Sequence, residues 1–310
     1  MNDPIKLIYN PTAGKGQAGK NLPKVQAMLA QHAFDYQLHL TEGPGHALEL
    51  AHQAAKEDCD VVVAAGGDGT INEVINGLMK INPNGRKRPV LGVLPIGRGN
   101  DFAYGMNIPH DILESVQVLA KGERRTIDVG RVTGGDFPEG RYFGNGVGLG
   151  FDTVVGFEAA KITWLRGAAS YLAGLVRTIF LYSKAPTYEI VLDEGDPVRQ
   201  ACLLVSIMNG RRMGGAFYMA PEANPEDGSF DLCLGGYVAQ IKILPLATRF
   251  LNGSQKDHPA VQMLMAKKVT IRAIDGTIPA HADGETICTA GQALSVEIFP
   301  GALDIIYKKS

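Results

Sequence analysis

The sequence predicts an α/β domain built on a parallel sheet, followed by a domain of mostly antiparallel strands. Three observations lead there. Short apolar runs alternate with helical periodicity up to about residue 125, the pattern of repeated strand–helix crossovers. Three of these early strands stop at glycine-rich turns, at residues 10–19, 66–70 and 97–103. After Asp128 the texture changes: two helical stretches (151–162 and 167–182) give way to strand-like runs separated by turn signals such as Asp275-Gly276.

Taken in order, Ile5–Tyr9 is a short apolar strand running into Asn10-Pro11-Thr12-Ala13-Gly14-Lys15-Gly16-Gln17-Ala18-Gly19-Lys20. This stretch matches the dinucleotide pattern GxGxxG literally, and the P-loop pattern as far as its lysine. Both are set aside. Asn21 stands where a P-loop needs Ser or Thr, and four residues separate the strand from the first glycine, which in a dinucleotide fold follows at once. What remains is a glycine loop with two lysines at a strand's carboxyl end, suited to phosphates, or else a plain solvent loop. A helix to about residue 32, the strand Tyr36–Leu40 and a helix over 46–57 come next.

The run Val61-Val62-Val63-Ala64-Ala65 reads as a buried strand that stops at Gly66-Gly67-Asp68-Gly69-Thr70 before a helix. Thr70 and Glu73 have capping-box spacing, which predicts Thr70 as the helix N-cap. Glycines there let a ligand approach the backbone, and the helix N-terminus favours an anion such as phosphate. A carboxylate beside a phosphate site calls for a divalent cation; otherwise Asp68 merely caps backbone amides. The strand 90–94 ends in Pro95-Ile96-Gly97-Arg98-Gly99-Asn100-Asp101-Phe102-Ala103, and a helix over 111–121 leads to Asp128. Carboxyl ends of parallel strands share one sheet edge, so the three turns are expected to line one crevice.

Beyond Asp128 the predicted strands are 188–192, 202–208, 230–234, 268–274 and 294–299. The reading places one domain over 1–128 and a second over 129–299, with the alternating apolar end of the chain (300–310) a candidate to return to the first. The net charge of −2 gives no global basic field that would draw the chain to nucleic acid or anionic lipid. Cys59, Cys202, Cys233 and Cys288 are widely spaced and read as reduced packing residues of a cytoplasmic protein. No signal peptide is predicted from the first residues. The most membrane-like stretch, 164–182, carries Arg166 and Arg177 and is read as a long, mostly buried helix.

The ordered set of Asn10–Gly16, Gly66–Thr70, Gly97–Ala103, the Asn145 and Asn209 glycine blocks, Asp227-Gly228 and Asp283-Gly284-Glu285 resembles the soluble lipid kinase family of diacylglycerol and sphingosine kinases. The resemblance covers nearly the whole chain and is nearest to the bacterial diacylglycerol kinases. It implies an N-terminal nucleotide domain, a C-terminal β-sandwich, and an active site between them that uses ATP and Mg²⁺ with a lipid hydroxyl as acceptor. It implies nucleotide contacts from Asn10, Pro11, Thr12, Gly14, Lys15, Gly16, Gly66, Gly67, Asp68, Gly69, Thr70, Glu73, Gly97, Arg98 and Asn100. It further implies a carboxylate network of Asp68, Asp101 and Asp128, with Asp68 toward the metal, and a structural magnesium on Asp227 and Ser229. Glu285 is the candidate general base, with Asp68 as the alternative, and a solvated hairpin glutamate is the plain reading of Glu285. Membrane lipid as substrate implies a cytoplasmic protein that contacts the membrane peripherally; a homodimer stays open. The family usually has Thr where this chain has Arg98, which either clamps a phosphate or fills the pocket by pairing with Asp68 or Asp101. The loop 211–219 mixes cations and apolar bulk, as a lipid interface or as an ordinary packed loop.

Overall fold

The computed structural model describes residues 5–81, 87–162, 168–181 and 185–309. Arg86, Arg166, Gly167 and Tyr182, which figure in the sequence reading, lie outside the described residues. The chain forms two compact units, residues 1–129 with 300–310, and residues 130–299.

The first unit alternates strands with helices, two helices following the fourth strand: β1 (Ile5–Tyr9), α1 (Gln17–Gln31), β2 (Tyr36–Leu40), α2 (His46–Lys56), β3 (Val61–Gly66), α3 (Asp68–Met79), β4 (Val90–Pro95), α4 (Asp101–Gly105), α5 (Ile112–Lys121) and β5 (Arg124–Gly134). β1 pairs in parallel with both β2 and β3, β3 pairs in parallel with β4, and the returning chain end pairs in parallel with β4 at Ile305 and Leu91. Every residue of β3 and β4 is buried, as strands covered on both faces require. One face, carrying Leu7, Tyr9, Val61, Val63 and Ala65, packs against Val25 and Leu29 of α1 and Val116 and Leu119 of α5. Strand alternation sends the intervening residues Ile8, Val62 and Ala64, all fully buried, to the opposite face.

The helix boundaries follow local chemistry. Asp111 caps α5 by accepting the Glu114 amide at 3.0 Å, and Gly122 ends it in a left-handed conformation. α3 departs from expectation. It begins at Asp68 with Gly67 as its N-cap, so Thr70 sits inside the first turn. Glu73 does not reach back along its own helix. Its two carboxylate oxygens accept the amides of Gly45 (2.7 Å) and Ala47 (3.1 Å), capping the start of α2 from across the helix pair.

The second unit adds β6 (Phe137–Phe143), β7 (Gly146–Gly150), α6 (Phe151–Lys161), α7 (Ala168–Leu181), β8 (Thr187–Leu192), β9 (Val198–Met208), β10 (Phe230–Gly236), α8 (Gln240–Asn252), β11 (Val261–Ala266), β12 (Lys268–Ala273), β13 (Ile278–Ala282), β14 (Glu285–Gly291) and β15 (Ala293–Ile306). Its strand pairs are antiparallel. The long β9 pairs β8 through its first residues and β7 and β10 through its last, carrying the chain between two sheets. Val147, Leu149, Val205, Ile207, Val269, Ile271 and Val296 meet in the core of this β-sandwich. A second apolar cluster joins Phe151 and Val155 of α6, Leu175 of α7 and Ile243, Leu246 and Phe250 of α8 to Leu203, Leu204 and Met208.

Two expectations need correction here. The helix over 240–252, with β6, β7, β11, β13 and β14, is not expected from the sequence. α7 is only partly covered, since Val176 and Arg177 are exposed. No described helix is long and apolar enough to cross a membrane.

Candidate active site

Three chain reversals at the carboxyl edge of the parallel sheet meet in the first unit, and glycine is what lets them meet. A Cβ on Gly97 would lie 2.4 Å from Gly67 Cα, and one on Gly14 would lie 3.0 Å from the Ile96 carbonyl oxygen. Gly14 and Gly16 also adopt left-handed backbone conformations, at φ of 61° and 83°, which glycine alone takes without strain. The turns are stitched together by main-chain bonds: Asn10 donates its amide to Ala65 O, and Ile96 donates to Gly66 O.

Polar side chains complete the junction. Asn10 Nδ2 donates to Thr70 Oγ1 at 2.9 Å, while its Oδ1 accepts from the Thr12 amide and hydroxyl. Thr70 fits because Gly66 beneath it has no side chain. Asn100, left-handed at φ 51°, folds back so that its Oδ1 accepts the Gly97 amide at 3.0 Å. Thr12, Lys15 and Arg98 are exposed. Among the described residues Arg98 makes no ion pair, so it does not fill the pocket by pairing with Asp68 or Asp101.

Asp68 is the first residue of α3 and reaches the start of α4, where its Oδ1 accepts the Phe102 amide at 3.1 Å. The capping reading of Asp68 is therefore part of the answer. Its other oxygen points to Gly99, where a Cβ would meet Asp68 Oδ2 at 3.0 Å and Asp101 Oδ2 at 3.4 Å. Two carboxylates thus converge on one bare stretch of backbone. Burial pushes the Asp68 carboxyl above the usual carboxylate range, against the amides of Phe102, Asn100 and Asp101, which draw it down. A crowded, desolvated carboxylate pair is a donor set suited to a hard cation. Asp128, fully buried, accepts the Gly301 amide at 2.7 Å and so anchors the returning chain end.

In the second unit the Asp283-Gly284 pair forms the two-residue turn between β13 and β14, with φ of 49° and 85°, the geometry of a type I′ hairpin. The buried Asp283 carboxylate accepts the amides of Gly144 (2.8 Å), Asn145 (3.0 Å) and Gly146 (3.0 Å). Asn145 in turn receives the amides of Asn209 and Gly210 on its carbonyl, and Gly210 has no room for a side chain against Asn145 Oδ1. The glycine blocks around Asn145 and Asn209 and the terminal motif are one hydrogen-bonded assembly. It presents Glu285, exposed at the hairpin corner, with its carboxylate unengaged by any described residue.

Asp227 is exposed and its Oδ1 accepts the Ser229 amide at 3.0 Å in a local turn. Asp231 beside it is pushed up to about 6 by burial and by Asp227 and Glu222. Among the described residues no group of three or more His, Cys, Asp or Glu is arranged to hold a metal ion. In the loop 211–219, Met213 and Met219 are buried in the helix-side core, and Met213 bridges to Phe217, so its apolar bulk packs inward. All four cysteines are buried and free.

An α/β unit with phosphate-suited turns at the sheet edge, joined to a β-sandwich, is the build of a two-domain kinase. The same fold occurs in a diacylglycerol kinase from Bacillus anthracis (TM-score 0.72, 22% identity, 98% of this chain and 97% of that chain) and in an NAD kinase from Archaeoglobus fulgidus in complex with ATP (TM-score 0.54, 14% identity, 97% and 93%). Residues 4–132 match the diacylglycerol kinase catalytic domain, and residues 145–307 match the YegS C-terminal NAD kinase beta sandwich-like domain. Curated relatives include diacylglycerol kinases of Bacillus subtilis (strain 168), 32% identical over 90% of this chain and 89% of that protein, and of Staphylococcus aureus (strain bovine RF122 / ET3-1), 33% identical over 92% and 87%. The chain belongs to the diacylglycerol kinase family, a family of ATP-dependent lipid kinases.

Proposed function

We propose that the protein transfers the γ-phosphate of ATP to the free hydroxyl of diacylglycerol, giving phosphatidic acid. The observation that carries this reading is the junction of Gly14, Gly67 and Gly97, with Asp68 and Asp101 converging on Gly99. Phosphoryl transfer gains mainly from positioning and charge neutralisation, and such a junction supplies both. In this reading the turns 10–16, 66–70 and 97–100 hold the nucleotide phosphates, with Lys15 and Arg98 as exposed cations beside them. Arg98 takes the place of a hydroxyl with a cation that can grip phosphate at two points. Glu73 acts indirectly, by fixing α2 against α3.

Asp68 and Asp101 would hold Mg²⁺, which when bound neutralises charge on the transferring phosphate. Asp128, the third carboxylate of that network, also ties down the returning chain end through the Gly301 amide. Glu285 takes the proton from the lipid hydroxyl, because Asp68 already accepts a backbone amide and Glu285 is unengaged. Asp227 and the carboxylates near it make a negative spot to which a second cation would bind, with Ser229 completing the turn.

The test is ATP-dependent phosphate incorporation into mixed micelles of diacylglycerol, sphingosine, ceramide and phosphatidylglycerol, with NAD as a soluble acceptor. Turnover of diacylglycerol above the others is expected. Preference for another lipid would replace the substrate, and phosphorylation of NAD alone would overturn the lipid reading.

A further inference from the structure

α8 carries a second apolar face that nothing in its own unit uses. Ile243, Leu246 and Phe250 point inward to the core. Ile241, Leu244 and Leu251 point outward, and Ile241 is 85% exposed. With Thr248 between them, their three-, four- and three-residue spacing makes one continuous stripe. Pro245 lies on the same outward side. Tyr237, just before the helix, is 59% exposed, and Val176 adds an exposed apolar side chain on α7, to which Gln240 ties the start of α8 through the Ile179 carbonyl. Water contact with this much apolar surface on one helix is costly, and a helix apolar on two faces marks a surface that meets an apolar phase.

The charges select the partner. From Tyr237 to Asn252 the chain has no Asp or Glu, while Lys242 lies exposed along one edge of the stripe and Arg249, two turns on and half-buried, donates to the Ser254 carbonyl. An apolar stripe with a basic edge and no acid is complementary to the headgroup–acyl boundary of an anionic bilayer.

We propose that the outward face of α8, with Tyr237 and Val176, is the surface by which this protein docks on anionic phospholipid membranes. The proposal rests on the reading that the acceptor is a membrane lipid, since such an enzyme must reach a bilayer to meet its substrate. Docking lays α8 in the interface plane, with Ile241, Leu244 and Leu251 among the acyl chains and Lys242 at the phosphates.

The experiment is co-sedimentation of the full chain with vesicles of phosphatidylglycerol and phosphatidylcholine, and with phosphatidylcholine alone. The variants are the triple Ile241→Ser/Leu244→Ser/Leu251→Ser and the single Lys242→Glu, with sedimentation equilibrium run alongside. Wild type is expected to bind the anionic vesicles, the triple variant to bind at least about tenfold more weakly, and Lys242→Glu to lose binding in proportion to the phosphatidylglycerol content. A short-chain diacylglycerol offered below its micelle concentration is expected to be phosphorylated by all three alike. Binding unchanged in both variants overturns the proposal. So does a wild-type dimer that the triple variant dissociates without loss of vesicle binding, because the stripe would then seat a second copy. Vesicle binding needs no turnover, so failure of the kinase reading shows in the short-chain assay and failure of docking in the pellet.

Discussion

At the scale of single residues, the candidate site depends on groups that are small or already committed. Gly97→Ala puts a methyl 2.4 Å from Gly67 Cα and 2.5 Å from Asn100 Oδ1, and the backbone on one side cannot rotate away. The expected cost is about 1–3 kcal/mol of stability, together with loss of the stabilisation that ATP gives; thermal unfolding with and without ATP reads both. Asp283 is the other such residue. Replacing it with Ala leaves three buried amides facing a void, a loss on the order of 3 kcal/mol, and it should lower the melting temperature where Glu285→Ala does not. Sequence alone does not show the Asp283 clamp, because its partners lie 137 to 139 residues away. The motif could be read as a turn with a glutamate after it, and that much holds: Glu285 does sit at a hairpin corner.

Elements are tied together by side chains whose sequence spacing misleads. The Thr70/Glu73 pattern has the spacing of a capping box, yet Glu73 serves a neighbouring helix because α2 begins on left-handed Gly45 with its amides open. Glu73→Ala is expected to cost about 1 kcal/mol, seen as a lower urea midpoint with unchanged slope. α8 escaped the sequence reading because apolar residues on two faces blur its periodicity and Pro245 interrupts it. A second tie is pH-sensitive. Asp152 at the start of α6 and His281 of β13 lie 3.9 Å apart over Gly148, which has no side chain to separate them. Burial pushes Asp152 up to about 7 and His281 down to about 4. A raised carboxylate means the folded state keeps a proton that the unfolded chain releases, so this contribution to stability falls as pH rises from about 4 to 7. A depressed histidine means the unfolded chain gains a proton that the folded state refuses, so that contribution falls as pH drops from about 6.5 to 4. The two oppose each other over the shared window. Relative to wild type, Asp152→Asn should make stability rise with pH there, and His281→Gln should make it fall, each by at most about 1.4 kcal/mol per pH unit. Urea unfolding across the range measures both slopes, and equal slopes in the two variants would show that the pair is not titrating as described.

For the molecule as a whole, the alternation of strands and helices and the change of texture after Asp128 were enough to read a parallel α/β fold followed by antiparallel strands. Both rest on short-range patterns, β-branched runs and glycine stops, that the chain displays locally. Less was legible where partners come from afar. The motifs that group Asp128 with Asp68 and Asp101 do not show that its carboxylate also accepts the Gly301 amide, a contact that exists only because the chain end returns. Arg98 can be read two ways in the sequence, and the absence of an ion pair to Asp68 or Asp101 among the described residues removes the pocket-filling one. In the proposed mechanism the glycine junction with Asp68 handles ATP while Glu285 activates the acceptor. The most direct test is phosphate transfer from ATP to diacylglycerol in micelles with Mg²⁺, measured with ATP affinity, for wild type, Asp68→Ala and Glu285→Ala. Turnover lost in both variants, with ATP affinity weakened only in Asp68→Ala, is the predicted result. Full turnover by Glu285→Ala, or ATP affinity untouched by Asp68→Ala, would contradict it.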